Sequence, residues 1–136
     1  MRVFFDTNVI VAAFASRGLC ADLMRVVLAE HQLLTGEVNL AELRPILRKK
    51  LKASVAQADA VAAVLREQVV VPRPEVLLPI PIRDEDDAWV LASAVAGDAE
   101  SLVTGDKDLL VVADESPVPI ITPRAAWERL RGPGAA

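Results

Sequence analysis

Short apolar blocks and longer amphipathic stretches alternate along this chain. Val3, Phe4 and Phe5 form a run that stops abruptly at Asp6-Thr7-Asn8, the pattern of a buried strand followed by a turn or helix cap. Residues 9–15 read as a short apolar helix that stops near Ser16-Arg17-Gly18. Leu23, Val26, Val27 and Ala29 recur at helical spacing and predict a helix over residues 21–30. Leu33 and Leu34 predict a brief strand. Thr35 is placed to cap the next helix, which carries Val38, Ala41, Ile46 and the basic run Arg48-Lys49-Lys50, and Pro45 is expected to kink it. Ser54 opens a further amphipathic helix through about Gln68.

Val69, Val70 and Val71 are β-branched and predict a strand. Pro72, Pro74, Pro79 and Pro81 make the following segment an extended connector rather than a domain boundary. Residues 84–96 predict a helix, Ser101-Leu102-Val103 a strand, residues 106–112 a short helical turn, and residues 118–121 a last strand. Pro123 sits in the first turn of a final helix, where proline is tolerated. Short apolar strands separated by helices indicate an α/β fold with a mostly parallel sheet. The length of 136 residues fits one domain, expected over residues 1–131, with Gly132-Pro133-Gly134-Ala135-Ala136 as a frayed tail.

Composition narrows the function classes. Hydrophobic residues make up 53% of the chain and charged residues 25%, enough apolar surface to offset the entropy of ordering, so disorder is excluded. A single cysteine, Cys20, rules out an internal disulfide and a thiolate zinc cluster. A single histidine, His31, argues against His-based metal sites and a Ser-His-Asp apparatus. No apolar run reaches the ~18 residues of a membrane span, and Asp6 interrupts the opening stretch too early for a signal peptide. A cytoplasmic setting without a membrane partner is expected. With a net charge of −4, the whole surface does not attract nucleic acid, so a polyanion needs a local basic patch or a bound metal.

In open parallel sheets, ligands gather outside the carboxyl ends of the strands. Asp6 follows the first strand, and Thr104, Gly105 and Asp106 follow the strand at 101–103. Two acids distant in sequence are thereby expected at one sheet edge. Asp84, Glu85, Asp86 and Asp87 open a helix, where acids serve as caps and complement the dipole. Asp87 also lies four residues before Leu91 and eight before Val95, so it continues a core-facing stripe. Glu42 falls between Val38 and Ile46 at the same spacing and is expected to point inward, although a surface Glu paired with Arg44 or a lysine fits as well. Asp6, Asp106 and Asp108 each have a reading as simple caps. Taken together, Asp6, Glu42, Asp87 and Asp106 would make a carboxylate pocket. Its oxygen-only donor set favours Mg²⁺ or Mn²⁺ over Zn²⁺, and with such a metal it suits phosphoryl chemistry.

At these residues the sequence resembles a known family. Asp6-Thr7-Asn8-Val9, Glu42-Leu43, Asp84 to Asp87 followed by Ala88-Trp89-Val90-Leu91-Ala92-Ser93-Ala94, and Val103-Thr104-Gly105-Asp106-Lys107-Asp108-Leu109-Leu110 are similar, in order, to the motifs of PIN-domain ribonucleases. The likeness spans nearly the whole chain and is closest to VapC-like proteins, the toxins of toxin–antitoxin pairs. The resemblance implies a PIN-like nuclease domain with about five strands and helices on both faces. It implies metal-binding, catalytic acids at Asp6, Glu42, Asp87 and Asp106, with Asn8, Thr104, Asp84 and Asp108 in support. Either Asp84 or Asp87 can lead the third motif; Asp87 is preferred because the pattern of residues 88–94 follows it in register. The implied activity is a Mg²⁺- or Mn²⁺-dependent endoribonuclease, with RNA as substrate, an antitoxin protein as partner and a homodimer as the assembly. The apolar helices between Val9 and Leu28 offer a seam for such a dimer.

Other readings compete. A PIN-like module that binds RNA or protein without turnover has the same motifs. A receiver-type signalling domain also clusters acids around Mg²⁺, but Val71 leads to Pro72 rather than an acid, and Ile121 leads to Thr122-Pro123 without a lysine. Arg44, Arg48, Lys49, Lys50 and Lys52 read as a solvated helix face or an RNA track. Trp89 reads as helix packing or a substrate contact. Aromatic content of 4% argues against a base-stacking platform.

Overall fold

The computed structural model describes residues 1–131. The expected tail at 132–136 lies outside the described residues. Five strands, β1 (Arg2–Phe5), β2 (Gln32–Gly36), β3 (Val69–Val71), β4 (Ser101–Val103) and β5 (Ile120–Ile121), form one sheet in the order β3-β2-β1-β4-β5. Every neighbouring pair is parallel, with Phe4 opposite Leu34 on one side and opposite Leu102 on the other. The described residues also form seven α-helices, α1 (Thr7–Ala15), α2 (Leu19–Glu30), α3 (Glu37–Lys50), α4 (Val55–Arg66), α5 (Glu85–Ala96), α6 (Lys107–Leu110) and α7 (Pro123–Arg131), and a 3-10 turn at Ala113–Glu115. None is long and apolar enough to cross a membrane.

Helices cover both faces of the sheet, which is why the strands are continuous apolar runs rather than alternating ones. Val3 and Phe5 point into one layer with Ile10, Leu23, Val27, Leu43, Leu47 and Leu65. Phe4 points into the opposite layer with Val90, Leu91, Leu102, Leu109 and Ile120. β1 is therefore the innermost element, and all three of its apolar side chains are no more than 1% exposed.

Several local expectations are corrected. Thr35 does not cap α3: it belongs to β2, which continues to Gly36 paired with Val71, and its buried hydroxyl donates to the Phe5 carbonyl at 3.3 Å. Gly36 precedes the helix without any side-chain cap. Pro45 lies inside α3 without ending it. The last strand is shorter than residues 118–121. Pro119 has no N–H to give the ladder, although its carbonyl accepts from Leu102 N at 2.8 Å. Ser54 does open α4, through a capping box with Gln57, and the helix ends at Arg66.

The strand order carries the consequence for function. From β1 the chain moves outward through β2 to β3, then returns to the other side of β1 for β4 and β5. The direction of winding reverses between β1 and β4, and a crevice opens there at the carboxyl ends of the strands.

Candidate metal centre

Asp6 leaves the end of β1 at this reversal and caps α1, with its backbone N donating to the Val103 carbonyl of β4 at 3.0 Å. It is 5% exposed. Its Oδ1 accepts from Thr7 N at 2.7 Å and from Asn39 Nδ2 at 3.3 Å, and its Oδ2 accepts from Thr104 Oγ1 at 2.7 Å. Burial raises its pKa, the three donors pull it back, and the charge of Asp106 adds to the rise. Thr104, fully buried just after β4, also accepts from Asp106 N at 2.9 Å, so one hydroxyl joins the two strand ends. Asp106 caps α6 by accepting from Asp108 N at 2.9 Å.

Asp87 arrives from α5. Its position one turn before Leu91 turns it inward, and it is buried. Its Oδ2 is buried without a hydrogen-bond partner. Burial and then the neighbouring Asp106 push its carboxyl up to about 8. Glu42 on α3 is half-buried and accepts from Thr7 Oγ1 at 3.3 Å. Its pKa is also raised, chiefly by burial, with the charge of Asp6 opposing ionisation further.

The four acids line one cleft of about 240 Å³ together with Thr7, Asn8, Val11, Ile46 and Lys50. Within it, carboxylate oxygens of Asp6, Asp87 and Asp106 all lie within 4.8 Å of one another. Glu42 borders the cleft without joining that tight group. Asp84 and Asp108 form a second group of the same closeness with Asp87, so Asp87 is shared by both. Asp84 is exposed and caps α5 through Asp86 N at 2.8 Å. The capping readings of Asp6, Asp84 and Asp106 are thus correct locally, and they coexist with convergence of the carboxylates. Asn8 lines the cleft but hydrogen-bonds none of the acids. Trp89 packs against the apolar layer with the Arg73 guanidinium 4.2 Å over its ring, which is the packing reading.

Sequence reasoning missed Asn39, Thr7 and the placement of Lys50. Asn39 is fully buried and donates to Thr7 Oγ1 at 3.0 Å as well as to Asp6, while its Oδ1 has no partner. The available signal was its position one helical turn before Glu42. Gly36 brings it into place: a Cβ there would meet Asn39 Oδ1 at 3.0 Å and Ser93 at 3.2 Å, so glycine permits the close approach of α3 to α5.

The donor set suits a divalent cation. It is all carboxylate oxygen, it includes a buried oxygen without a partner, and no ion pair among the described residues involves any of the four acids. Buried like charges of this kind are stable only with a proton or a cation between them. Oxygen-only coordination belongs to the Mg²⁺ and Mn²⁺ class.

A parallel sheet covered on both faces, with an acidic cleft at its winding reversal, defines an α/β domain whose strand edge gathers carboxylates. The sequence model of the PIN domain matches residues 2–108, and the chain belongs to that family. The receiver-domain alternative falls with this assignment. Among solved structures, the fold is similar to VapBC-1 of nontypeable Haemophilus influenzae (TM-score 0.63, 19% identity, covering 91% of this chain and 99% of that one). It is also similar to FitAcB of Neisseria gonorrhoeae (0.62, 15%, covering 90% and 98%). VapBC2 of Rickettsia felis, solved bound to a DNA fragment from its promoter, gives 0.60 at 12% identity, covering 90% and 98%. At such identities the likeness is one of fold. No curated protein matches the sequence significantly.

Proposed function

We propose that this PIN domain is a divalent-metal-dependent endoribonuclease and the toxin of a toxin–antitoxin pair. The observation that carries the reading is the convergence of Asp6, Asp87 and Asp106 within one cleft, with a buried Asp87 oxygen left unpartnered. Asp6, Asp87 and Asp106 would hold Mg²⁺ or Mn²⁺, with Glu42 lining the same cleft. Bound there, the ion supplies positive charge to a phosphodiester and makes a nearby water more acidic. Thr7, Asn39 and Thr104 fix the Asp6 carboxylate through three hydrogen bonds, so its orientation is set before substrate arrives. Glu42 Oε2 is engaged by Thr7, which leaves Oε1 to accept a proton from an attacking water.

Likeness to VapBC complexes supports a small antitoxin protein as partner, and a homodimer is the proposed assembly. Val9, Ile10, Leu23, Met24 and Val27 of α1 and α2 are buried in the core, whereas Phe14 and Leu28 are exposed and available for a seam. The test is cleavage of a mixed RNA pool with Mg²⁺ or Mn²⁺, with EDTA, and with Asp6→Asn in parallel. Cleavage that needs the metal and Asp6 is expected. RNA binding without metal-dependent cleavage would overturn the enzyme reading in favour of a binding module.

A further inference from the structure

The cleft wall contributed by α3 changes sign along its length. Glu42, Ile46 and Lys50 follow one another at four-residue spacing, share a face of the helix, and all line the cleft. Lys50 is the only cation among the lining residues. It is exposed, and it takes no part in the ion pairs among the described residues, which are Arg25–Asp22, Arg44–Asp59 and Arg66–Glu37. Arg44, Pro45, Arg48 and Lys49 line a separate groove of about 410 Å³, and helical spacing turns Arg48 away from the face that carries Lys50. Cations in a last turn complement the helix dipole, which accounts for a basic end to α3. It does not account for a lysine on the acidic cleft that is paired with none of its carboxylates.

The chain has a net charge of −4, and its candidate site is lined by four acids, so an RNA strand entering the cleft meets repulsion except at this cation. We propose that Lys50 binds a phosphate of the RNA strand flanking the scissile one. This rests on the ribonuclease reading of the cleft. Lysine serves here as a point charge on a flexible stem, so it selects for backbone charge and not for base identity.

The test separates binding from turnover. Affinity for a labelled single-stranded RNA is measured by fluorescence anisotropy in the Asp6→Asn background, with salt raised from about 50 to about 200 mM. Added to that background, Lys50→Ala is expected to weaken binding about five- to tenfold and to make the slope of log affinity against log salt shallower by about 0.7, one phosphate contact. Lys50→Arg should keep both within about twofold. Arg25→Ala, which removes a charge on α2 away from the cleft, should leave the slope unchanged. In otherwise wild-type protein, Lys50→Ala should raise KM for RNA by a similar factor while kcat stays within about twofold. Thermal melting of each variant checks that the fold is kept. Unchanged affinity and slope in Lys50→Ala, equal losses in Arg25→Ala, or no RNA binding by the parent protein would overturn the proposal. Failure of wild-type protein to cleave RNA would instead remove the enzyme reading, with the anisotropy result for Lys50 standing on its own.

Discussion

Replacing Asp87 by Asn separates a capping role from a role in a crowded carboxylate site. In the metal-free protein, Asp87 is pushed from 3.8 to about 8, first by burial and then by Asp106. A carboxyl raised on folding contributes stability that is complete below its unfolded pKa and is lost as pH rises through the folded value. The window therefore runs from about pH 4 to about pH 8. At about 1.4 kcal/mol per pKa unit, the full shift would approach 6 kcal/mol; screening in an open cleft reduces this to about 2–4 kcal/mol. Asp87→Asn removes this dependence and with it part of the repulsion on Asp6 and Asp106. The assay is urea unfolding in EDTA at several pH values from 5 to 8. Wild type should lose stability as pH rises, and the variant should lose much less, ending about 2–4 kcal/mol above wild type at the alkaline end. At roughly 4 °C per kcal/mol, the corresponding gain in melting temperature is about 8–16 °C. Cleavage of RNA should collapse in the same variant. A pure cap predicts the reverse: a loss of at most about 1 kcal/mol at every pH, with activity intact. Parallel pH profiles for the two proteins would refute the reasoning.

Three further outcomes follow from the same geometry. Mn²⁺ should raise the melting temperature of wild type, because it binds only the folded state, and Asp106→Asn should blunt that rise; equal shifts would remove Asp106 from the ligand set. Thr104→Val should cost about 1–3 kcal/mol in urea unfolding, since Asp6 Oδ2 and Asp106 N both lose their partner, and should weaken the Mn²⁺ response. Sedimentation at tens of micromolar should show a dimer that Phe14→Ser with Leu28→Ser dissociates; a monomeric wild type would discard the proposed seam.

Much of this molecule follows from short-range physics. Val3-Phe4-Phe5 and Val69-Val70-Val71 are strands because β-branched and aromatic runs suit a sheet buried on both faces, and Asp6, Ser54, Asp84 and Asp106 cap helices through their own neighbouring amides. The inward turn of Asp87 is likewise local, since helical spacing alone aligns it with Leu91. Long-range pairing decided the rest. Nothing near β4 in sequence dictates that it lies beside β1 rather than beside β3, yet that choice creates the winding reversal and joins Asp6 to Thr104. Thr35 shows the limit on a smaller scale: its composition suits a cap, but pairing of β2 with β3 extends the strand through it. Asn39 and Lys50 look like ordinary helix positions until α3 packs in place, where the close approach at Gly36 admits Asn39 beside Asp6 and the far end of the helix sets Lys50 on the cleft wall. Local propensity is set by neighbours a few residues away, whereas the convergence of charge in this cleft depends on which distant surfaces bury one another, and only the packed chain settles that.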